Sequence, residues 1–465
     1  MFALILLLID AGFLLGAVLF TWESLREKEP RAPKVGLAGI LFHLVLAGLI
    51  LAVPPIRPFA AVFFGALLFI LLLFLVPAKP NRRALQGAEG YVVGPVTRFD
   101  ERDIVFARNR SLPPGSEQYR QYYESNPEKE AYDARRRERG GPIGRPGAID
   151  GGHPPNVSMI LSSFALPGFL AGQAKVAPDP AKPPAALDPQ EAAKIVKGFA
   201  RHLGAVLVGI CRVNALWAYS HRGEIFYGNW EDWGKEIEEP LPYAVVIATE
   251  MDLENVGAGP HTPALVESSA NYARGAYVTT ILAQWFGGLG YRAVAQHNRH
   301  YDLLLVPLAI DAGLGELGRH GYLVADQLGP RVRLFAVTTD MPLATDKPIN
   351  KGVEAFCRYC KKCATACPSR SIPLEGLTVQ NGLERWKLNE ETCFDYWGKV
   401  GTDCSVCMGI CPFSRPNRSV HKIVKWLLPR SWLGQRLLPY LDNWVYGQKW
   451  KPRAVAPWVD YSVRG

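Results

Sequence analysis

Three long apolar runs open the chain: Phe2–Phe20, Val35–Val53 and Phe59–Val76, each 18 or 19 residues long. A helix of that length reaches about 28 Å, close to the hydrocarbon thickness of a bilayer. Three such runs side by side are more than a soluble core uses, so the pattern predicts three membrane-spanning helices within residues 1–83. No basic residue or twin-arginine pair precedes the first run, and no small-residue cleavage site follows it. It is therefore expected to stay as a span and not to be a removed signal.

Lys and Arg set the expected orientation. Arg26, Lys28, Arg31 and Lys34 lie in the first loop, and Lys79, Arg82 and Arg83 follow the third run. The second loop, Pro54-Pro55-Ile56-Arg57-Pro58, has one Arg. Basic loops stay in the cytoplasm, which predicts an outside N-terminus and everything after residue 79 on the cytoplasmic face of the inner membrane. Asp10 and His43 fall inside the apolar runs, where ionisable groups are functional candidates or pair within the bundle. A single histidine cannot supply both axial ligands of a bis-histidine haem.

The pattern then changes. Residues 84–190 are rich in turn residues and end in the Pro-rich stretch Ala177–Pro189, which reads as a stiff linker. Ala134–Arg139 is a basic run that reads as a solvated helix end. Beyond it, Ala205–Cys211 and Ala244–Thr249 are short Val- and Ile-rich runs expected as buried strands, with Tyr291–Ala295 and Arg333–Thr338 as further strands. Ala264–Leu289 carries a long helical pattern closed by Gly290. This alternation predicts a mixed α/β layered core over 191–345. Cys211, mid-strand among apolar neighbours, reads as an inert buried thiol.

Composition adds one exclusion and cysteine spacing decides more. With 48% apolar and 20% charged residues in 465, the chain is neither disordered nor fibrous, and a net charge of +9 does not argue for nucleic acid. Eight of nine cysteines fall between residues 357 and 411. Cys357-x2-Cys360-x2-Cys363-x3-Cys367-Pro368 is the spacing that wraps one [4Fe–4S] cube, the fourth cysteine reaching to a second. Cys393, Cys404, Cys407 and Cys411-Pro412 complete the pair. One cube is expected on Cys357, Cys360, Cys363 and Cys411, the other on Cys367, Cys393, Cys404 and Cys407. A zinc site explains neither the reciprocal sets nor the two prolines. Two adjacent cubes over 346–420 form a short electron wire, so the preceding residues must house an acceptor.

Gly313-x-Gly315-x-x-Gly318 fits a dinucleotide fingerprint only formally, because no strand–turn–helix unit surrounds it. Close backbone approach to another large, flat cofactor suits it better.

The run AGLGELGRHGYLVADQLGPRVRLFAVTTDMPLATDKP followed by FCRYCKKCATACPSRSI resembles the corrinoid-dependent reductive dehalogenase family. VTRFDERDIVFARNRSLPPGS near residue 97 and LDNWVYGQK near 441 do so too, and the resemblance runs from about residue 94 to 450. It implies an α/β (α+β) nitroreductase-like cobalamin-binding core joined to a bacterial two-[4Fe–4S] ferredoxin-like domain, behind three transmembrane helices. The family's catalytic Tyr, Asn and Arg fall on Tyr272, Asn298 and Arg331. Arg331 competes with Arg333 for the place facing the site. Cofactor contacts are expected from Gly313, Gly315, Glu316, Gly318, Arg319, His320, Gly321, Gly329 and Pro330. The chain lacks Asp-x-His-x-x-Gly, so the resemblance implies base-off cobalamin without a protein histidine ligand.

A small organohalide substrate and an external electron donor (ferredoxin, flavodoxin or a quinol-linked reductase) are then expected, with membrane lipid but no nucleic acid as partner. Two other readings compete: a membrane-bound two-cluster electron-transfer subunit, and an epoxyqueuosine-reductase-like corrinoid enzyme. The tail, residues 421–465, holds eight Lys or Arg, two Asp and five of twelve Trp. It suits either an anionic bilayer surface or packing over the ferredoxin-like part, the family match of LDNWVYGQK favouring packing for that segment.

Overall fold

The apolar runs become α1 (Phe2–Arg26), α2 (Ala32–Ala52) and α3 (Ile56–Leu73). All three are long and apolar enough to cross a membrane. The computed structural model describes residues 1–139, 154–181, 183–225 and 230–459. Part of the 84–190 region (140–153, and 182 in the linker) and residues 460–465 of the tail lie outside the described residues.

The chain divides into two units. The smaller comprises residues 1–81, 351–362 and 415–449. Its helices carry apolar side chains outward all round, such as Leu8, Leu41 and Phe69, as a lipid-facing bundle requires. Small residues let them approach: a Cβ on Gly36 of α2 would stand 2.1 Å from Thr21 Oγ1 of α1. Asp10, 1% exposed, meets His43 Nδ1 at 2.7 Å, so the two intramembrane groups pair inside the bundle. Arg57 folds back, its Nε donating to the Ile50 carbonyl at 3.0 Å and satisfying the last turn of α2.

The larger unit is built on a five-stranded sheet of order β1-β4-β7-β3-β2: β1 (Lys175–Val176), β2 (Leu207–Arg212), β3 (Tyr243–Glu250), β4 (Ala293–Gln296) and β7 (Val332–Thr339). Every neighbouring pair is antiparallel. The layered arrangement is therefore α+β, without the parallel crossovers that helix–strand alternation suggests. One face packs under the Thr262–Gly288 and Pro189–His202 helices, through Phe335, Val337, Ile247 and Phe286. The other carries the Leu305–Asp311 helix and the hairpin of β5 (Gly315–Leu317) and β6 (Leu323–Ala325).

Two local expectations change. The Pro-rich stretch is tied down: Ala185 N donates to the Leu289 carbonyl at 2.8 Å, and the Tyr291 hydroxyl donates to the Ala185 carbonyl. The basic run is not a solvated end either. Arg136, 4% exposed, holds Asp133 and Asp395, and Arg108 holds the same Asp133. Three acidic partners, Glu391 among them, make burial of these guanidinium groups tolerable.

Glu101, within the FDER stretch, is fully buried and accepts from Gly223 N–H at 2.7 Å. Burial pushes its carboxyl from 4.5 up to about 7. The folded state thus holds this proton more tightly than the unfolded chain. The associated stability is present below pH 4.5 and lost as pH rises through 7, about 3 kcal/mol in all. Glu101→Gln keeps an acceptor for Gly223. Its unfolding midpoint is expected to vary less than that of the wild type between pH 4.5 and 7, read by thermal scans in detergent.

Candidate functional site

β7 decides which arginine meets Tyr272. Residues 333, 335 and 337 point to one face of the sheet, the face covered by the Thr262–Gly288 helix that carries Tyr272. The Arg333 guanidinium lies over the Tyr272 ring, 5.0 Å from its centroid. Phe335 meets the same ring edge-on at 6.2 Å, and Phe164 flanks it at 5.8 Å. Arg333 Nη2 donates to Ser268 Oγ at 2.6 Å and to Asp403 Oδ2 at 3.2 Å, while Ser268 Oγ donates to the same carboxylate oxygen at 2.5 Å. Against the cost of burial, Tyr272 and Asp403 hold the Arg333 cation above its ordinary pKa.

Arg331 points elsewhere. It is buried, with Nε donating to the Ser414 carbonyl at 2.7 Å and Nη1 to Glu250 Oε1 at 3.0 Å and the Met251 carbonyl at 2.6 Å. It fastens the end of β3 to the turn after Cys411. Asn298 is half-buried, and its Oδ1 has no partner among the described residues. Its neighbour Arg299 stacks on Phe164 at 5.5 Å, and burial and Arg110 hold that guanidinium below its ordinary pKa.

The glycines of 313–321 serve the backbone of the β5–β6 hairpin. A Cβ on Gly315 would stand 2.2 Å from the Val324 carbonyl oxygen, and one on Gly313 (φ +73°) 2.4 Å from that of Lys347. Gly318 lies against the His320 ring and Gly321 has φ +81°. Gly329, ahead of Pro330, lets the chain touch the Phe413 backbone. Arg319 is buried, donating to the Pro373 and Glu375 carbonyls at 2.8 Å each and stacking on Trp386. Glu316, three residues earlier, is fully buried. His320 is buried with Nε2 lacking a partner among the described residues, and burial pushes its imidazole down to about 4.

The cysteines lie on short helices and tight loops. Cys357 and Cys360 sit on the Val353–Cys360 helix of the smaller unit. In the larger unit, burial and neighbouring thiols push Cys393 and Cys404 up to about 12, and Cys407 rises through burial and the nearness of Cys404, Cys393 and Cys367. Ser371 N–H donates to Cys367 Sγ at 3.3 Å, a contact suited to a thiolate. Among the described residues, no three His, Cys, Asp or Glu side chains close on the single point one ion would need. Burial raises the Tyr322 hydroxyl, and the charges of Cys407, Cys393 and Cys404 add to it while Arg333 opposes them. Cys211 is buried, with Sγ 3.5 Å from the Leu308 carbonyl, well apart from this chemistry in the core.

The 4Fe-4S dicluster domain family matches residues 356–414, which include all eight clustered cysteines. Tetrachloroethene reductive dehalogenase of Sulfurospirillum multivorans is 33% identical over 301 residues, covering 58% of this chain and 59% of the relative. The chain is a homologue of the reductive dehalogenases. The tetrachloroethene reductive dehalogenase of Desulfitobacterium hafniense is 32% identical over 279 residues, 51% of this chain and 50% of the relative. Among solved structures, catabolic reductive dehalogenase NpRdhA superposes with a TM-score of 0.60 at 26% identity, over 77% of this chain and 48% of that one. The chain thus spans about half the length of the relatives it matches.

Arg333, Ser268 and Asp403 were beyond reach of the cysteine and glycine motifs. The two arginines part because Arg331 lies ahead of β7 and Arg333 within it. No sequence signal pairs Ser268 with Asp403, which are 135 residues apart.

Proposed function

We propose that the chain is a membrane-bound reductive dehalogenase, with a nitroreductase-like corrinoid core over 191–345 and two [4Fe–4S] clusters over 346–420. The reaction is R–X + 2 e⁻ + H⁺ → R–H + X⁻. The observation that carries this reading is the seat of Tyr272: a phenol under a fixed guanidinium, which Asp403 ties to the Cys404 loop, in a homologue of the dehalogenases.

A bound corrinoid supplies the low-valent cobalt that breaks the carbon–halogen bond, and the protein supplies position and the proton. The chain fits such a group, because His320 Nε2 and Asn298 Oδ1 are buried polar atoms left for a bound molecule. The 313–321 hairpin and Gly329-Pro330 would hold it. The absence of Asp-x-His-x-x-Gly supports a base-off state. Tyr272 gives its proton to the carbon, and the Arg333 cation stabilises charge left on the phenol oxygen. Phe164 and Phe335 help exclude water. The substrate is a small organohalide and the electron donor is external. The Lys and Arg distribution supports a cytoplasmic site on the inner membrane.

Iron and cobalt in detergent-purified protein, expressed with corrinoid supplied, test the reading. About eight iron and one cobalt per chain are expected. Eight iron without cobalt would overturn it in favour of an electron-transfer subunit.

The two arginines should separate. Arg333→Gln is expected to keep iron content and fold while lowering turnover about tenfold or more. Arg331→Gln leaves the Ser414 and Met251 carbonyls without their donor and is expected to lower the unfolding midpoint, at a cost of about 1–3 kcal/mol.

A further inference from the structure

The smaller unit carries a second apolar surface outside the three spans. Two helices, Ser419–Leu427 and Trp432–Tyr446, lie in the same unit as α1–α3. Their connection is bonded to the chain just past α3. Ala78 N donates to the Arg430 carbonyl at 2.8 Å, Trp432 N donates to the Val76 carbonyl at 3.0 Å, and Pro77 bridges Ser431. The backbone of Trp432 is thereby held at the level where the third span ends, where a bilayer passes from hydrocarbon to headgroups.

The side chains there have the composition of an interface. Ile423, Trp426 and Trp432 are 63%, 59% and 47% exposed. Arg430 lies over the Trp426 ring at 4.9 Å and Arg436 over the Trp432 ring at 4.2 Å. The inward side is polar and closed. His421 pairs with Glu27 of α1 at 3.0 Å, and Asp442 pairs with both Arg415 and Lys362. Residues 415–449 hold seven Lys or Arg against one Asp. At a membrane surface, indole rings sit at headgroup level and arginines meet phosphate.

We propose that Ile423, Trp426, Arg430, Trp432 and Arg436 form an interfacial seat for anionic phospholipid. The seat clamps the smaller unit flat on the bilayer surface beside the end of α3. Because Asp442 of the second helix holds Lys362, next to the Cys357–Cys360 helix, the seat also sets the height of those two thiols above the bilayer. This rests on α1–α3 being inserted, which is read separately by co-migration of the protein with lipid discs.

The test uses the full chain with its clusters, in nanodiscs of phosphatidylcholine with or without phosphatidylglycerol, made with dibrominated or ordinary acyl chains. Bromine quenches only the tryptophans it reaches. Trp426→Phe/Trp432→Phe is expected to lower the quenched share of emission by about half, Trp22 of α1 supplying much of the rest. Phosphatidylglycerol is expected to deepen quenching in the wild type and not in Arg430→Gln/Arg436→Gln. A quenched share unchanged by the double Trp substitution would overturn the seat and leave that face to a protein partner. Equal quenching with and without phosphatidylglycerol would overturn the anionic-lipid assignment. Failure to co-migrate with discs would overturn the spans instead.

Discussion

Tyr272→Phe is expected to cut dehalogenation by about 10²–10⁴-fold while iron, cobalt and the unfolding midpoint stay at wild-type values. The substitution removes one oxygen and keeps the ring. Packing of the ring against Phe164 and Phe335, and the Arg333 contact to its face, therefore survive. What goes is the proton that must reach carbon as the halide leaves. Single-turnover assays with reduced protein and an organohalide separate the steps: if Tyr272 is the donor, halide release slows together with protonation, or the carbon centre is diverted to other products. A solvent-deuterium effect present in the wild type and altered in Tyr272→Phe would tie the loss to proton delivery. Wild-type turnover in Tyr272→Phe would remove Tyr272 from the mechanism and leave Arg333 as a structural clamp on the Asp403 loop.

The contrast between Tyr272 and its arginine shows what the sequence carries. Three apolar runs, the long helix and the four main strands are legible because burial writes a period into the residues. The eight cysteines are legible because cluster ligation restricts spacing. Strand β1, two residues long, and the three-residue strands β5 and β6 leave no period to read. Arg136 reads as solvated because a basic run usually is. Its partners Asp133, Glu391 and Asp395 come from the same helix and from a helix some 250 residues on. Likewise Arg331 and Arg333, two positions apart, would share a face of one continuous strand, and they part only because Arg331 lies ahead of β7, which starts at Val332, and turns to the Ser414 and Met251 carbonyls. Ion pairs across the fold are chosen by tertiary geometry, which a single sequence does not encode locally. The Ser419–Leu427 and Trp432–Tyr446 helices are a further case: composition marks them as basic and aromatic, but their bonding to residues 76–78 needs coordinates.

Cys407→Ser is expected to abolish turnover and to lower iron from about eight to about four per chain, whereas Cys211→Ser leaves both iron and activity in place. Both thiols are held above their ordinary pKa by burial, so burial alone does not distinguish them. Their neighbours do. Cys211 faces a carbonyl and two distant carboxylates, Asp311 and Asp346, within an apolar core. Burial holds Cys407 up most, and the charges of Cys404, Cys393, Cys367 and Cys411 add to it, so such thiols become thiolates readily only where iron takes up their charge. A serine at 407 is a harder and less acidic ligand, so the cube held by its three partners is left open to solvent and loss. The charges of Cys407, Cys393, Cys404 and Arg333 all act on the buried Tyr322 hydroxyl, and on the proposed reading the cube of Cys407 is the one that serves the Tyr272 site. On the proposed reading its removal breaks the last step of the wire while the other expected cube can still be reduced. Electron paramagnetic resonance of the reduced variant should show one isolated cluster signal in place of an interacting pair. Full iron content, or an interacting pair that persists, would show that the two sets of four cysteines are divided differently.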